Sequence, residues 1–345
     1  MPRKKTVTQK TLADSLGLSE YTVSKALRGL PGMSDETRAE VISVAKRLGY
    51  RTREQKQSFA AERINLHANY RRRFQIIMGR NTMINQLVIE SLQQRIYDLG
   101  DYAEILLAPS MSGTAAFANW VEQHNVMYAD GLFLNPGLPK ELEEALIGLK
   151  VPKILINYPL PASEVDSVIW DVYTPVYQAV MLLYQYGHRH IMFMGNIEEE
   201  RGYKIRWNAF ADAMQACGLP VDQEMHAIYD LHKENLTEII SAKILQVDPT
   251  AILCNMNIDL IYYIFHLIDR RIPEDCSLVS TSLNVHTRYH QLTQYRFMLQ
   301  DVAQRAVERM LWRIANPHMP YEHIRIRAVL SEGVSVRRYP QQNLN

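Results

Sequence analysis

Apolar positions along this chain follow two rhythms. Over the first fifty residues they recur at spacings of three and four, the period of an amphipathic helix. From Phe74 onward they gather into short unbroken runs with helical stretches between them, as in buried parallel strands. Leu12, Ala13 and Leu16 give the inner face of a helix over 9–15, capped by Thr8. Gly17 follows, where a tight turn needs positive φ. Val23, Ala26 and Leu27 face inward on a second helix, 20–27. Ser19 caps it, because its hydroxyl can accept a free backbone N–H. Val41, Val44, Ala45 and Leu48 form the stripe of a third helix over 35–48, between Ser34 and Gly49. Asp35 and Glu36 suit its N-terminal dipole.

Ala13, Gly17 and Val23 have the spacing of a helix-turn-helix: a small residue for close approach, a turn glycine and a β-branched residue beneath. The second helix leaves Glu20, Tyr21, Ser24, Lys25 and Arg28 on its outer face, a set that suits base edges and phosphates. Periodicity alone equally fits a three-helix bundle whose polar face is merely wet; the spacing and the local charge favour DNA. Through Arg73 there are 16 Lys and Arg against 7 Asp and Glu, a net of +9; the whole chain is +1, so the remainder is −8. A basic first part on an acidic body points to a polyanion partner for that part.

The body alternates. Apolar runs stand at FQIIM, AEILLA, GLFLN, KILIN, SVIW, HIMFMG, AILC and SLVST. Helical stretches fall over 84–99, 115–127, 141–149, 176–186, 205–217, 236–246, 258–270 and 302–314. That is more than one compact sheet needs, which predicts two doubly wound α/β lobes with ligands between them at the strand C-terminal ends. The 345 residues therefore divide into a helix-turn-helix head suited to DNA at 1–50, a polar linker at 51–73, and a two-lobed body with room for a ligand at 74–345. Three cysteines, Cys217, Cys254 and Cys276, without a CxxC pair, read as reduced thiols in a cytoplasmic protein. The basic start is followed by no long apolar run, and no 18-residue apolar stretch occurs, so neither a signal peptide nor a membrane span is expected.

The segments TLADSLGLSEYTVSKALRG and MSDETRAEVISVAKRLGYR resemble the DNA-binding motif of the lactose-repressor (LacI/GalR) family of bacterial transcription regulators. Looser likenesses run in register through YADGLFLNP, VPKILIN, YGHRHIMFMG, RWNAFADAMQACGLPVD and DPTAILCNMN, and imply a periplasmic-binding-protein-like body. The resemblance implies an operator of double-stranded DNA with inverted repeats, a homodimer and a small-molecule effector, in the family a sugar or sugar derivative. On the head, Tyr21, Thr22 and Lys25 are expected to read bases, and Thr8, Ser24, Arg28, Ser34 and Thr37 to hold phosphates. In the linker, Phe59 lies where the family has an apolar wedge for the minor groove; packing on the body is the other reading. Thr52 stands where the family has proline.

In the body the resemblance points to Asn157, Trp170, Arg206, Asn257 and Ser282 as effector-binding residues. The first three also have plainer readings. Asn157 also fits a turn before Tyr158–Pro159, Trp170 also fits core packing, and Arg206 also fits a surface ion pair with Glu199 or Glu200. Met256, Ser282 and Phe297 depart from the family pattern and imply a less hydroxylated ligand, or none. No GxGxxG, P-loop, GxSxG or HExxH occurs, so no catalytic residue, cofactor or metal is expected. His188 and His190 read as a cationic helix end, and His286 and His290 as surface residues. The expected function is an effector-responsive DNA-binding repressor. An effector-independent regulator, a cleft enzyme with a nucleic-acid-binding head, and a non-specific architectural DNA-binding protein are the rivals.

Overall fold

The computed structural model describes residues 7–50, 71–109, 113–229, 234–282, 289 and 291–339. Phe59, His286 and His290 lie outside the described residues, as does most of the expected linker. The chain divides into two compact units, Met1–Val168 with Ala303–His323, and Ile169–Val302 with Ile324–Asn345.

The head belongs to the first unit and consists of α1 (Gln9–Leu16), α2 (Glu20–Leu27) and α3 (Asp35–Leu48). Each starts on the expected hydroxyl. Thr8, Ser19 and Ser34 accept the backbone N–H of Thr11, Thr22 and Thr37. Gly17 adopts φ 64, the left-handed turn that joins α1 to α2. Leu12, Ala13, Val23, Ala26, Leu27, Val41, Val44 and Ala45 are buried together. Leu48 is a correction: it is exposed, and Tyr50 is buried in its stead. Gly49 turns left-handed at φ 67, and the Tyr50 N–H bonds back to the Ala45 carbonyl, which swings that ring under the head.

The first sheet consists of β1 (Arg73–Met78), β2 (Tyr102–Leu107), β3 (Gly131–Leu134), β4 (Lys153–Leu155), β5 (Asp166–Trp170) and β11 (His323–Ile326), in the order β11-β5-β4-β3-β1-β2; β1 to β4 lie wholly in the first unit, and the unit boundary falls within β5 and β11. The connections include α4 (Met83–Asp98), α5 (Thr114–Gln123) and α6 (Lys140–Ile147). The helix expected over 115–127 ends early. Asn125 enters the left-handed region at φ 56, and Val126–Tyr128 forms a separate 3₁₀ turn.

The second unit repeats the plan. It has α7 (Tyr173–Gln185), β6 (Ile191–Gly195), α8 (Arg201–Ala216), β7 (Ala227–Ile228), α9 (Leu236–Val247), β8 (Ala251–Cys254), α10 (Ile258–Leu267), β9 (Ser277–Ser280), β10 (Thr293–Arg296) and β12 (Val329–Ser331). The sheet order is β12-β10-β9-β8-β6-β7, with β12 antiparallel to β10. The eight apolar runs all form strands. Among the described residues four further strands form, and they are short or polar: β7 has two residues, and β11 and β12 are half-exposed edges. Cys254 and Cys276 are buried free thiols, and burial pushes the Cys254 thiol up to about 12.

The long helix α11 (Leu299–Ala315) returns the chain to the first unit. Its Arg309 and Arg313, one turn apart, both clasp the fully buried Asp166 at the start of β5. Burial alone would raise the Asp166 pKa. Hydrogen bonds from Arg313, the Glu322 amide and Arg309 hold it below the ordinary carboxylate value instead.

Candidate nucleic-acid interface and ligand-binding positions

The reading face of α2 stands clear of the head's core. Tyr21 is 73% exposed, and the Lys25 ammonium lies 5.7 Å from its ring centroid, so a flat surface and a cation are presented as one unit. Thr22, expected to touch bases, shares its hydroxyl with Ser19 at 2.8 Å, and Thr37 does the same with Ser34. These hydroxyls thus brace helix N-termini whose backbone N–H groups suit phosphates. Thr8, Ser34 and Arg28 are exposed, and Ser24 is half-buried.

In each body unit, the strand order reverses beside one strand. In the first the reversal lies between β1 and β3; in the second it lies between β6 and β8. Ligands of doubly wound sheets sit beyond the strand C-termini at such points. An asparagine follows each of three of these strands: Asn135 after β3, Asn196 after β6 and Asn255 after β8. Asn135 is fully buried, and neither its Oδ1 nor its Nδ2 has a partner among the described residues. The Asn255 Nδ2 is likewise buried without a partner. A buried amide left unsatisfied costs about 1–3 kcal/mol, which makes both candidate positions for a polar contact. Neither was singled out from the sequence. The available signal was an asparagine closing an apolar strand, as in GLFLNP and AILCN.

The expected residues fare unequally. Arg206 lies on α8 and is 6% exposed, so the surface reading is corrected; its guanidinium is 5.6 Å from the Phe297 ring centroid and 5.8 Å from that of Tyr203. Phe297, a departure from the family pattern, is therefore a neighbour of the arginine. Asn157 uses its Oδ1 on the Tyr158 N–H at 2.8 Å, the turn role foreseen as its plainer reading. The Asn257 Oδ1 caps α10 by accepting the Asp259 and Leu260 N–H groups. Ser282 donates its N–H to the Ser280 hydroxyl, and Trp170 is buried at the end of β5. Met256 belongs to the core of the second unit. His188 is a further correction. It is fully buried, bonded to Thr250 Oγ1 and the Arg337 carbonyl, and burial lowers its pKa, so it is a neutral core tie and not a cationic cap.

Among the described residues no cluster of His, Cys, Asp and Glu could hold a metal ion, and no helix is long and apolar enough to cross a membrane. A helix-turn-helix head carried on doubly wound units with polar strand ends is the build of a DNA-binding, ligand-responsive regulator. Comparisons with known proteins agree. Residues 180–336 match the periplasmic binding protein-like domain family. The chain is 24% identical over 321 residues to catabolite control protein A of Priestia megaterium, covering 90% of this chain and 93% of that protein. It is 24% identical over 230 residues to the transcriptional regulator DegA of Bacillus subtilis (strain 168), and this match spans 62% of each. The structure of a lac repressor dimer bound to operator and the anti-inducer ONPF shares the fold, with a TM-score of 0.65 at 15% identity, covering 96% of this chain and 100% of that one. The chain is thus similar in sequence to DNA-binding transcriptional regulators and shares the fold of the lac repressor.

Proposed function

We propose that this protein is a cytoplasmic transcriptional repressor that binds an inverted-repeat operator as a homodimer, answers to a small-molecule effector and catalyses no reaction. The observation that carries the reading is the exposed Tyr21, with the half-buried Lys25 beside its ring, on a helix whose start is fixed by Ser19. One such helix reads only a few base pairs, and a two-fold dimer doubles the site. An apolar surface supports the dimer. Tyr102, Ile105 and Leu107 are exposed on the edge strand β2, with Tyr97 and Leu99 exposed at the end of α4, and edges of this kind are ordinarily covered.

DNA fragments selected from the genome by the full chain supply the operator for a direct test. Tyr21→Ala is expected to change preference at one or two base pairs, at roughly 1–3 kcal/mol per lost base contact. Arg28→Ala is expected to weaken all sequences alike and to flatten the salt slope by about one unit. Equal losses on operator and random DNA from both variants would refute the assignment of the reading face.

For the effector, a sugar or sugar derivative is the class proposed, with Arg206 as its forked donor. Trp170, Asn157, Asn257 and Ser282 are proposed with it. A ligand at a hundredfold excess over its Kd stabilises the fold by about 2.7 kcal/mol. A thermal-shift screen of sugars, sugar acids, nucleosides and phosphosugars is expected to give such a hit, weakened in Arg206→Ala. A hit unmoved by that change would put the site elsewhere. Effector-independent regulation is the second reading, favoured by Asn157 and Asn257 spending their oxygens on their own backbone. An empty screen would select it.

A further inference from the structure

Within the first unit the head is seated on the sheet-bearing part, and the seat holds a residue expected to touch DNA. Arg28 Nε lies 2.7 Å from the Glu122 carboxylate, a pair whose side chains are 44% and 13% exposed. Two further pairs bind the same surfaces: Asp35 with Lys150 at 3.0 Å and Lys46 with Asp130 at 3.8 Å. Apolar groups interlock beneath them. Tyr128 is buried in the head's own apolar cluster, and Ile42 of α3 packs on the cluster that holds Trp120 and Leu149. Gly29, at φ 72, lies so close to Leu149 and Met127 that a Cβ there would stand 3.1 and 3.3 Å from them.

Glu122 is an odd choice for its position unless Arg28 is its partner. It is the last residue but one of α5, and a carboxylate in a last turn opposes the helix dipole. No basic residue in that turn offsets it. It is also mostly buried, so an unpaired charge there is costly. Arg28 supplies the missing cation from the head. Docking nonetheless leaves the reading face open, since Tyr21 remains largely exposed.

We infer that this face of the first unit is a latch for the head, and that Glu122 competes with DNA phosphate for Arg28. The inference rests on the reading of Arg28 as a phosphate contact. The latch lowers DNA affinity by the factor set by its own equilibrium, because the competent head is only the unlatched fraction. It lowers affinity for every sequence equally, since what it withholds is a phosphate contact and not a base contact. A half-exposed pair is worth little, so the factor is modest, about two- to fivefold.

The test measures affinity of the full chain for a random-sequence duplex and for the selected operator. Glu122→Gln keeps the side chain's shape and removes its charge. It is expected to tighten binding to both DNAs by the same two- to fivefold factor, leaving their ratio unchanged. In an Arg28→Ala background the same change is expected to do nothing. No gain from Glu122→Gln alone overturns the latch. A gain that survives Arg28→Ala also overturns it, by showing general repulsion between Glu122 and DNA. Should Arg28→Ala itself leave affinity intact, the phosphate-contact reading falls, which is a separate and recognisable result, and the latch falls with it.

Discussion

Asp166→Ala is expected to destabilise the first unit by about 3–5 kcal/mol, the cost of stranding buried charge. The carboxylate is fully buried and accepts from Arg309 Nε at 2.9 Å, Arg309 Nη2 at 2.7 Å, both Nε and Nη2 of Arg313, and the Glu322 N–H at 2.9 Å. Both arginines are themselves buried on α11. Their remaining donors hold the segment after the helix: Arg313 Nη1 donates to the Met319 carbonyl at 2.7 Å, and its Nη2 to that of Pro320 at 2.9 Å. One carboxylate therefore fixes the returning helix, the following turn and the start of β5 together. Removing it takes the carboxylate from the buried Arg313 and leaves Arg309 only the Glu322 carboxylate, 2.8 Å from its Nη1. With two compact units, unfolding need not be a single step. Urea denaturation should show an early transition in the variant, assigned to the first unit by hydrogen exchange, with the second unit's transition unmoved. Coincident wild-type-like unfolding would show that the clasp contributes nothing. Since Asp166 titrates below the usual carboxylate value, its contribution is complete above that value and is lost as pH falls through its folded pKa.

What could be read in the sequence was local. The caps at Thr8, Ser19 and Ser34, the turn at Gly17 and the eight apolar runs each announce themselves within a few residues, and all are where expected. Misreadings arose where distant groups decide. Leu48 fits the helical stripe, yet the fold covers Tyr50 instead, because a left-handed Gly49 redirects the chain. His188 follows a helix end, but Thr250 and Arg337 enclose it. Arg309 and Asp166 are 143 positions apart, and no spacing rule links them. The candidate ligand positions were legible in part. Arg206 stood out by resemblance, whereas the unsatisfied amides of Asn135 and Asn255 exist only once neighbours have closed over them. The Arg28–Glu122 pair is of the same kind: no spacing in the sequence links the two residues.

Acid should loosen the second unit through a single histidine. His226 is buried, its ring edge-on to Trp207 at 5.3 Å and Phe210 at 4.9 Å, and its Nδ1 accepts the Phe193 N–H at 3.2 Å. That bond requires Nδ1 to be unprotonated, so the folded ring is neutral with its proton on Nε2. Burial lowers its pKa from 6.5 to about 4, with Asp222 opposing the shift weakly. In the unfolded chain the group titrates near its ordinary value. Between the two values the unfolded state binds the extra proton, so stability rises with pH across this window. The contribution is whole above about pH 6.5 and falls away as pH drops toward 4, by roughly 3 kcal/mol at 1.36 kcal/mol per unit. His226→Leu fills the same apolar space but cannot titrate. It is expected to lower stability at pH 7, because the Phe193 amide loses its acceptor, and to flatten the acid limb. Denaturant unfolding of both proteins at pH 7 and pH 4.5 checks this. An equally steep acid loss in the variant would assign the pH dependence to other groups and leave His226 only a packing role.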